Sequence, residues 1–304
     1  MTQLKVAVLG CGLIGVSWTA LFLAHGHDVA VWDPSPAARD GVEDGVALPM
    51  AQLVELGLGE GRSRGRLTLC AEPEEAVRGV DLVQENAPES VPLKRALYAR
   101  VEAAAPLGAL IASSTSSLVW SDLAEGMAHS GRFVTAHPFN PPHLMPLVEI
   151  YGRDPATVSR AEAFYHDLGR RTVRLRRDAV GHIANRLASA LWREAVNIVA
   201  EGIADVSEVD AALVHGPGLR WSVVGAHMAY HLGGGPGGMA HYLRHLGPSQ
   251  ERRWSTLGTP ALTPEICDLL IAGVTAEAAG RTVEQLEADR DARLIAAIKA
   301  RDLA

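Results

Sequence analysis

The chain has 304 residues, 48% of them hydrophobic and 21% charged, with a formal net charge of −7. That length suggests two domains and a core of ample size. The acidic balance argues against a nucleic-acid partner, and no apolar run is long enough to predict a membrane span.

The first half alternates strand and helix. "LKVAVLG", from Leu4 to Gly10, is a short β-branched apolar run ending in glycine, so it reads as a buried parallel strand. "CGLIGVSWTALFLAHG" follows with helical character and stops at Gly26, and "HDVAVWD" is a second strand ending at Asp33. Further strand candidates are "RLTLC", "DLVQEN", "ALIASST", "RFVTAHPF", "LVEIY" and "RTVRLR", with helices between several of them, notably "VPLKRALYARVEAA". Strands alternating with helices predict an α/β fold, a Rossmann-like doubly wound parallel sheet.

Gly10, Gly12 and Gly15 form G-x-G-x-x-G between the first strand and its helix, and Asp33 ends the next strand about 20 residues on. That context is the one a dinucleotide fingerprint requires. The first glycine makes the turn, the second lets backbone approach a pyrophosphate, and the third lets helix and strand pack closely. Gly10, Gly12, Leu13, Ile14 and Gly15 would then bind the cofactor, with the pyrophosphate at the helix N-terminus. Asp33 would hold the adenosine ribose diol. A carboxylate there repels a 2′-phosphate, so NAD is expected over NADP.

Near residues 176–180 the character changes, and the rest reads as helical. The predicted domains are 1–178, binding NAD, and 179–304, an all-α substrate and dimerisation domain. "GHIANRLASALWREAVNIVAEGIA" has apolar residues on several faces, and Asn185 is a polar amide among them that needs a partner. The N-terminus lacks a signal peptide's basic start and cleavage site. Cys11, Cys70 and Cys267 are isolated, form no metal-ligand pair and fit a reducing cytoplasm, which is the expected location. The histidines between His215 and His241 lack the acidic companions of a zinc site, so no metal is expected.

"GCGLIG", "VWD", "VQENAPESVPLK", "SSTSSL", "HPFNPP", "LVEI" and "GHIANRL" together resemble the 3-hydroxyacyl-CoA dehydrogenase family, in order and over nearly the whole chain. The resemblance implies NAD-dependent oxidation of a secondary alcohol to a ketone, and a homodimer formed through the helical domain. It assigns catalytic roles to Ser116, His137, Glu149 and Asn185, and a cofactor-side role to Glu89 and Lys94. The chemistry stands beside it. An imidazole titrating near neutrality suits the proton that leaves the hydroxyl. A carboxylate on its other nitrogen fixes the tautomer and stabilises the imidazolium. Ser116 and Asn185 would hold the reacting oxygen. Glu89 and Lys94 could equally be an exposed pair around a helix start.

The substrate divides the resemblance. "GPGLRWSVVG", from Gly216 to Gly225, departs from acyl-CoA members and is similar to carnitine and gulonate dehydrogenases acting on free hydroxy acids. Arg220, expected in a turn between helices, would take the substrate carboxylate bidentately. Trp192, Trp221 and Tyr230 are candidate walls for a trimethylammonium group. Where carnitine members carry aromatics, this chain has His143 and His227. The open alternatives are a 3-hydroxyacyl-CoA dehydrogenase, a β-keto acid reductase of secondary metabolism, and a non-catalytic NAD-binding protein related to a lens crystallin.

Overall fold

The computed structural model describes residues 3–59 and 61–302. The described chain divides by internal contacts into two compact units, with the break after Asn185.

The first unit is built on one eight-stranded sheet. Its strands are β1 (Lys5–Leu9), β2 (Asp28–Trp32), β3 (Leu67–Leu69), β4 (Leu82–Glu85), β5 (Leu110–Ser113), β6 (Phe133–Pro138), β7 (Leu147–Tyr151) and β8 (Arg171–Arg174). They lie in the order β3-β2-β1-β4-β5-β6-β7-β8. The first six reproduce the doubly wound order, whose direction of winding reverses between β1 and β4, and ligands bind at the carboxyl ends of strands flanking such a point.

Alternation along β1 explains why both faces are covered. Val6 and Val8 pack into one apolar cluster with Trp18, Leu21 and Phe22 of the helix Leu13–Ala24 and with Phe164 and Tyr165 of the helix Pro155–Asp167. Ala7 and Leu9 point the other way, into a second cluster with Leu97, Tyr98 and Val101 of the helix Val91–Ala104. A strand buried on both faces reads as a continuous apolar run, and "VAVL" is one.

One pairing departs from the expected parallel sheet: β7 runs antiparallel to β6. The cause is the connection. Only residues 139–146 separate the two strands, and a parallel return needs a crossover of a dozen residues or more. The helix after β7 starts cleanly. Asp154 accepts the Thr157 N–H at 2.8 Å as N-cap and Pro155 takes the first turn, where its missing N–H costs nothing.

The second unit contains helices and no strand among the described residues. The break falls inside the helix Ala184–Ala200, and the helices Val206–His215, Pro217–Val223, Ala226–Gly233, Gly238–Trp254, Pro264–Ala278 and Val283–Asp302 follow. Asp205 and Glu208 close a capping box at the start of Val206–His215. Among the described residues no helix is long and apolar enough to cross a membrane.

Candidate active site

The glycine loop fits a pyrophosphate. Gly10 has φ +96°, and a Cβ on it would lie 2.8 Å from the Asn86 carbonyl oxygen. A Cβ on Gly15 would lie 1.8 Å from the Gly10 carbonyl oxygen, so helix and strand touch only because that residue is glycine. Gly12 faces open space, with nothing within 4 Å. It is the N-cap of Leu13–Ala24, and no side chain caps that first turn, which leaves the helix N–H groups for an anion. Leu13 is 63% exposed, and Ile14 lines the adjoining cleft. Asp33, one residue past β2, accepts the Cys11 N–H at 2.7 Å and the Ser35 N–H at 2.8 Å. Each of its oxygens keeps a further lone pair for a ribose hydroxyl. Cys11 is no nucleophile: burial, then the Asp33 charge, push its thiol up to about 12.

The cleft holds about 410 Å³ and is lined by Glu89, Lys94, Ser116, His137 and Asn185, together with Asn86, Phe139 and Asn140. Its size is that of a small-molecule site. His137 and Glu149 face each other across the β6–β7 ladder as register partners. Residues directly opposite in an antiparallel pair project from the same face, so a twelve-residue separation becomes a contact: His137 Nδ1 lies 2.8 Å from Glu149 Oε2. The other carboxylate oxygen accepts the Ile183 and Ala184 N–H groups at 2.8 and 2.9 Å. Burial raises the affinity of Glu149 for a proton. The bonds from His137, Ala184 and Ile183 outweigh it and hold the carboxyl below its ordinary 4.5.

Glu89 grips the serine. It accepts the Ser116 Oγ–H at 2.8 Å and the Thr115 hydroxyl at 2.8 Å, as well as the Ser116 N–H. Here too burial pushes upward while the donors of Ser116 and Thr115 pull the carboxyl below its usual range. Asn185 finds the partner its position demands: Nδ2 donates to the Ser116 carbonyl at 3.2 Å. Lys94 is buried, with Nζ 2.6 Å from Glu85 Oε1 and 2.8 Å from the Ala87 carbonyl. Glu85 also accepts Tyr98 OH and Ser113 Oγ–H on its other oxygen, so both members of this buried pair are held by further hydrogen bonds, and Lys94 ties the Ala87 carbonyl of the loop that carries Glu89.

Two participants were not visible in the sequence. Glu85 lies inside an apolar strand and shows its role only through cross-element packing. His182 packs against His137 with ring centroids 5.0 Å apart and the planes tilted by 33°. Its φ of +49° marks a position that favours glycine or asparagine, which a histidine does not advertise.

His143 is a structural residue. Both ring nitrogens are bonded, Nδ1 to Ser17 Oγ at 2.7 Å and Nε2 to Gln52 Oε1 at 2.6 Å. Arg220 does not lie in a turn. It sits exposed on the helix Pro217–Val223 of the second unit, because Pro217 is preset for the first helical position. Trp221, Tyr230 and His227 are likewise exposed residues of that unit, and Trp192 lines a small apolar cavity there with Val196 and Val199. Among the described residues no group of three or more His, Cys, Asp or Glu side chains could hold a metal ion.

Residues 5–179 match the family model for the 3-hydroxyacyl-CoA dehydrogenase NAD binding domain, and residues 181–277 match that for the family's C-terminal domain. The L-carnitine dehydrogenase of Streptomyces griseus is 46% identical over 299 residues, 97% of this chain and 89% of that protein. The L-carnitine dehydrogenase of Pseudomonas putida is 42% identical over 304 residues, 99% of this chain and 95% of that protein. The crystal structure of 5-formyl-3-hydroxy-2-methylpyridine 4-carboxylic acid 5-dehydrogenase, an NAD+-dependent dismutase, shares the fold with a TM-score of 0.80 over 99% of both chains, at 23% identity. A 3-hydroxybutyryl-CoA dehydrogenase of Escherichia coli superposes with a TM-score of 0.63 at 28% identity, over 70% of this chain and 46% of that one. With both domain models matched in order and a loop built to receive the dinucleotide, the chain belongs to the 3-hydroxyacyl-CoA dehydrogenase family and uses NAD.

Proposed function

We propose that the chain interconverts the 3-hydroxyl and 3-oxo forms of a free hydroxy acid of the L-carnitine kind, as a cytoplasmic homodimer. The observation that carries the chemistry is the cross-strand His137–Glu149 pair, in which His137 lines the cleft and Glu149 lies buried behind it. A carboxylate only accepts, so Nδ1 of His137 carries its proton and Nε2 is left as the base. Nε2 takes the proton of the substrate hydroxyl, and Glu149 stabilises the imidazolium that results. NAD+ supplies the hydride acceptor when bound. The Ser116 hydroxyl donates a hydrogen bond to Glu89, which fixes its place on the cleft wall beside the reacting oxygen. Asn185 holds the Ser116 backbone in place. In the reverse direction the imidazolium returns the proton to the oxygen.

The free acid is favoured over a thioester by the carnitine-dehydrogenase relatives, which match nearly end to end. It is favoured also by Arg220, a guanidinium suited to a carboxylate and with nothing to meet on a thioester. The intact set of Ser116, His137, Glu149 and Asn185 argues against a non-catalytic NAD-binding protein. The decisive experiment follows NADH absorbance with L-carnitine, L-gulonate and 3-hydroxybutyrate beside 3-hydroxybutyryl-CoA, each with NAD+ and NADP+. Free acids with NAD+ should turn over fastest, and Arg220→Met should raise their KM strongly while leaving NADH affinity unchanged. A thioester turned over faster, or an unchanged KM in Arg220→Met, refutes the free-acid reading.

A further inference from the structure

His182 has features that the chemistry above does not use. The residue is 1% exposed, and its Nε2 lies 3.0 Å from the Thr115 carbonyl oxygen. A carbonyl only accepts, so Nε2 carries the proton and Nδ1 is bare. Nδ1 is buried and has no hydrogen-bond partner among the described residues. A stranded buried acceptor is costly, and φ +49° adds backbone strain. A phenylalanine could cover the same surface without stranding a nitrogen.

The neighbours explain where that cost is incurred. The His182 ring lies over the His137 ring, 5.0 Å between centroids at 33°. The next two N–H groups along the chain, Ile183 and Ala184, hold the Glu149 carboxylate that orients His137. A single turn therefore grips the base by its face and, through Glu149, by its edge.

We infer that His182 is a positioning residue for proton transfer: an imidazole packed at a tilt against His137 that fixes the plane of the base and keeps water off it. The inference rests on the reading of His137 as the base. Burial lowers the proton affinity of His182, the Thr115 carbonyl opposes this, and His137 lowers it further, so the ring is neutral near pH 7. The ionisable groups around it are His137 of β6, Glu149 of β7 and Asp178 ahead of the turn. Asp178 is engaged by the Trp120 and Ser121 N–H groups. A charged His182 would repel the imidazolium that His137 becomes, and a neutral one does not.

The test compares the parent, His182→Ala and His182→Phe in the full chain, with NAD+ and whichever of the three free acids turns over fastest. NADH binding is followed by fluorescence. His182→Ala should lose about 10–100-fold in kcat, the scale of a misplaced catalytic group, with KM changed less than about threefold and NADH affinity unchanged. The acid limb of its kcat/KM profile should move to higher pH, because water reaching His137 favours the imidazolium. His182→Phe covers the ring and should return both kcat and the acid limb close to the parent. If His182→Ala does not fold, His182→Gln replaces it; it cannot cover the ring, so its acid limb should move where that of the Phe variant does not. A parental kcat and pH profile in His182→Ala overturns the inference, and so does a kcat loss with an unmoved acid limb. His137→Asn distinguishes the two levels. If it is inactive while His182→Ala is parental, only the role of His182 falls; if it keeps parental turnover, the assignment of the base falls with it.

Discussion

Glu149 collects three donors on one buried carboxylate, from His137, Ile183 and Ala184. Those bonds hold it ionised through neutral pH despite its burial. If the pair works as proposed, its two members should contribute unequally to turnover. His137→Asn should remove most of kcat, about 10²–10⁴-fold for the loss of a general base, and leave NADH affinity intact. Glu149→Gln should cost less, because the imidazole survives without its orienting charge. Stopped-flow hydride transfer with a fluorescence titration of NADH checks both, and near-parental turnover in His137→Asn refutes the assignment. The residues of this site divide by how they could be read. The glycine spacing, Asp33 and the pair twelve apart are local patterns with a physical meaning. Lys94 was legible as a titratable group but not by its partner: Glu85 lies nine residues away on another element, and burial selects it over Glu89. His182 left no signal, because nothing in "GHIAN" announces a left-handed backbone.

Among the elements, strand existence was legible and strand direction was not. "RFVTAHPF" and "LVEIY" read as strands either way; the short connection between them decides for the antiparallel ladder, and that ladder brings His137 and Glu149 together. "GPGLRW" looked like a turn because glycine and proline punctuate chains, yet proline at a first helical position starts a helix as readily as it ends one. The start of β2 carries a pH-dependent element. His27 is buried, accepts the Leu4 N–H on Nδ1 at 3.2 Å and stacks on Phe164. Burial, then the charges of His25 and Arg62, push it down to about 4 from 6.5, against Asp167 and Asp81. The unfolded chain takes up that proton near 6.5, whereas the folded chain refuses it until about 4. Stability from this group is thus full above 6.5 and is lost as the pH falls through that window. His25 and His182 are shifted in the same direction. Tm should fall between pH 7 and pH 5, before most carboxylates titrate, and His27→Phe should flatten the fall. Calorimetry at the two pH values checks this; equal drops in parent and variant would refute it.

On the scale of the whole molecule the two units differ in how they treat apolar surface. The first buries most of its large aliphatics, many of them in two clusters on either face of one sheet. The second leaves many of them exposed, among them Leu219, Val223, Leu232, Trp254, Ile271 and Val274. Scattered exposed aliphatics are ordinary, but so many in a unit of about 120 residues exceeds what a lone soluble domain usually shows to water. The helices that carry them are well formed. A capping box opens Val206–His215, and Thr263 caps Pro264–Ala278 by accepting the Ile266 N–H. The exposure is therefore not a sign of poor helix formation. A second copy of the chain is the cover that fits, since a two-fold interface needs only one self-complementary patch, and the family resemblance implies association through this region. Light scattering at micromolar concentration should give a mass twice that of the chain. Trp254→Glu together with Ile271→Glu should shift the mass toward the monomer by burying unpaired charge in the interface. A parent that is monomeric at that concentration and fully active would refute the homodimer.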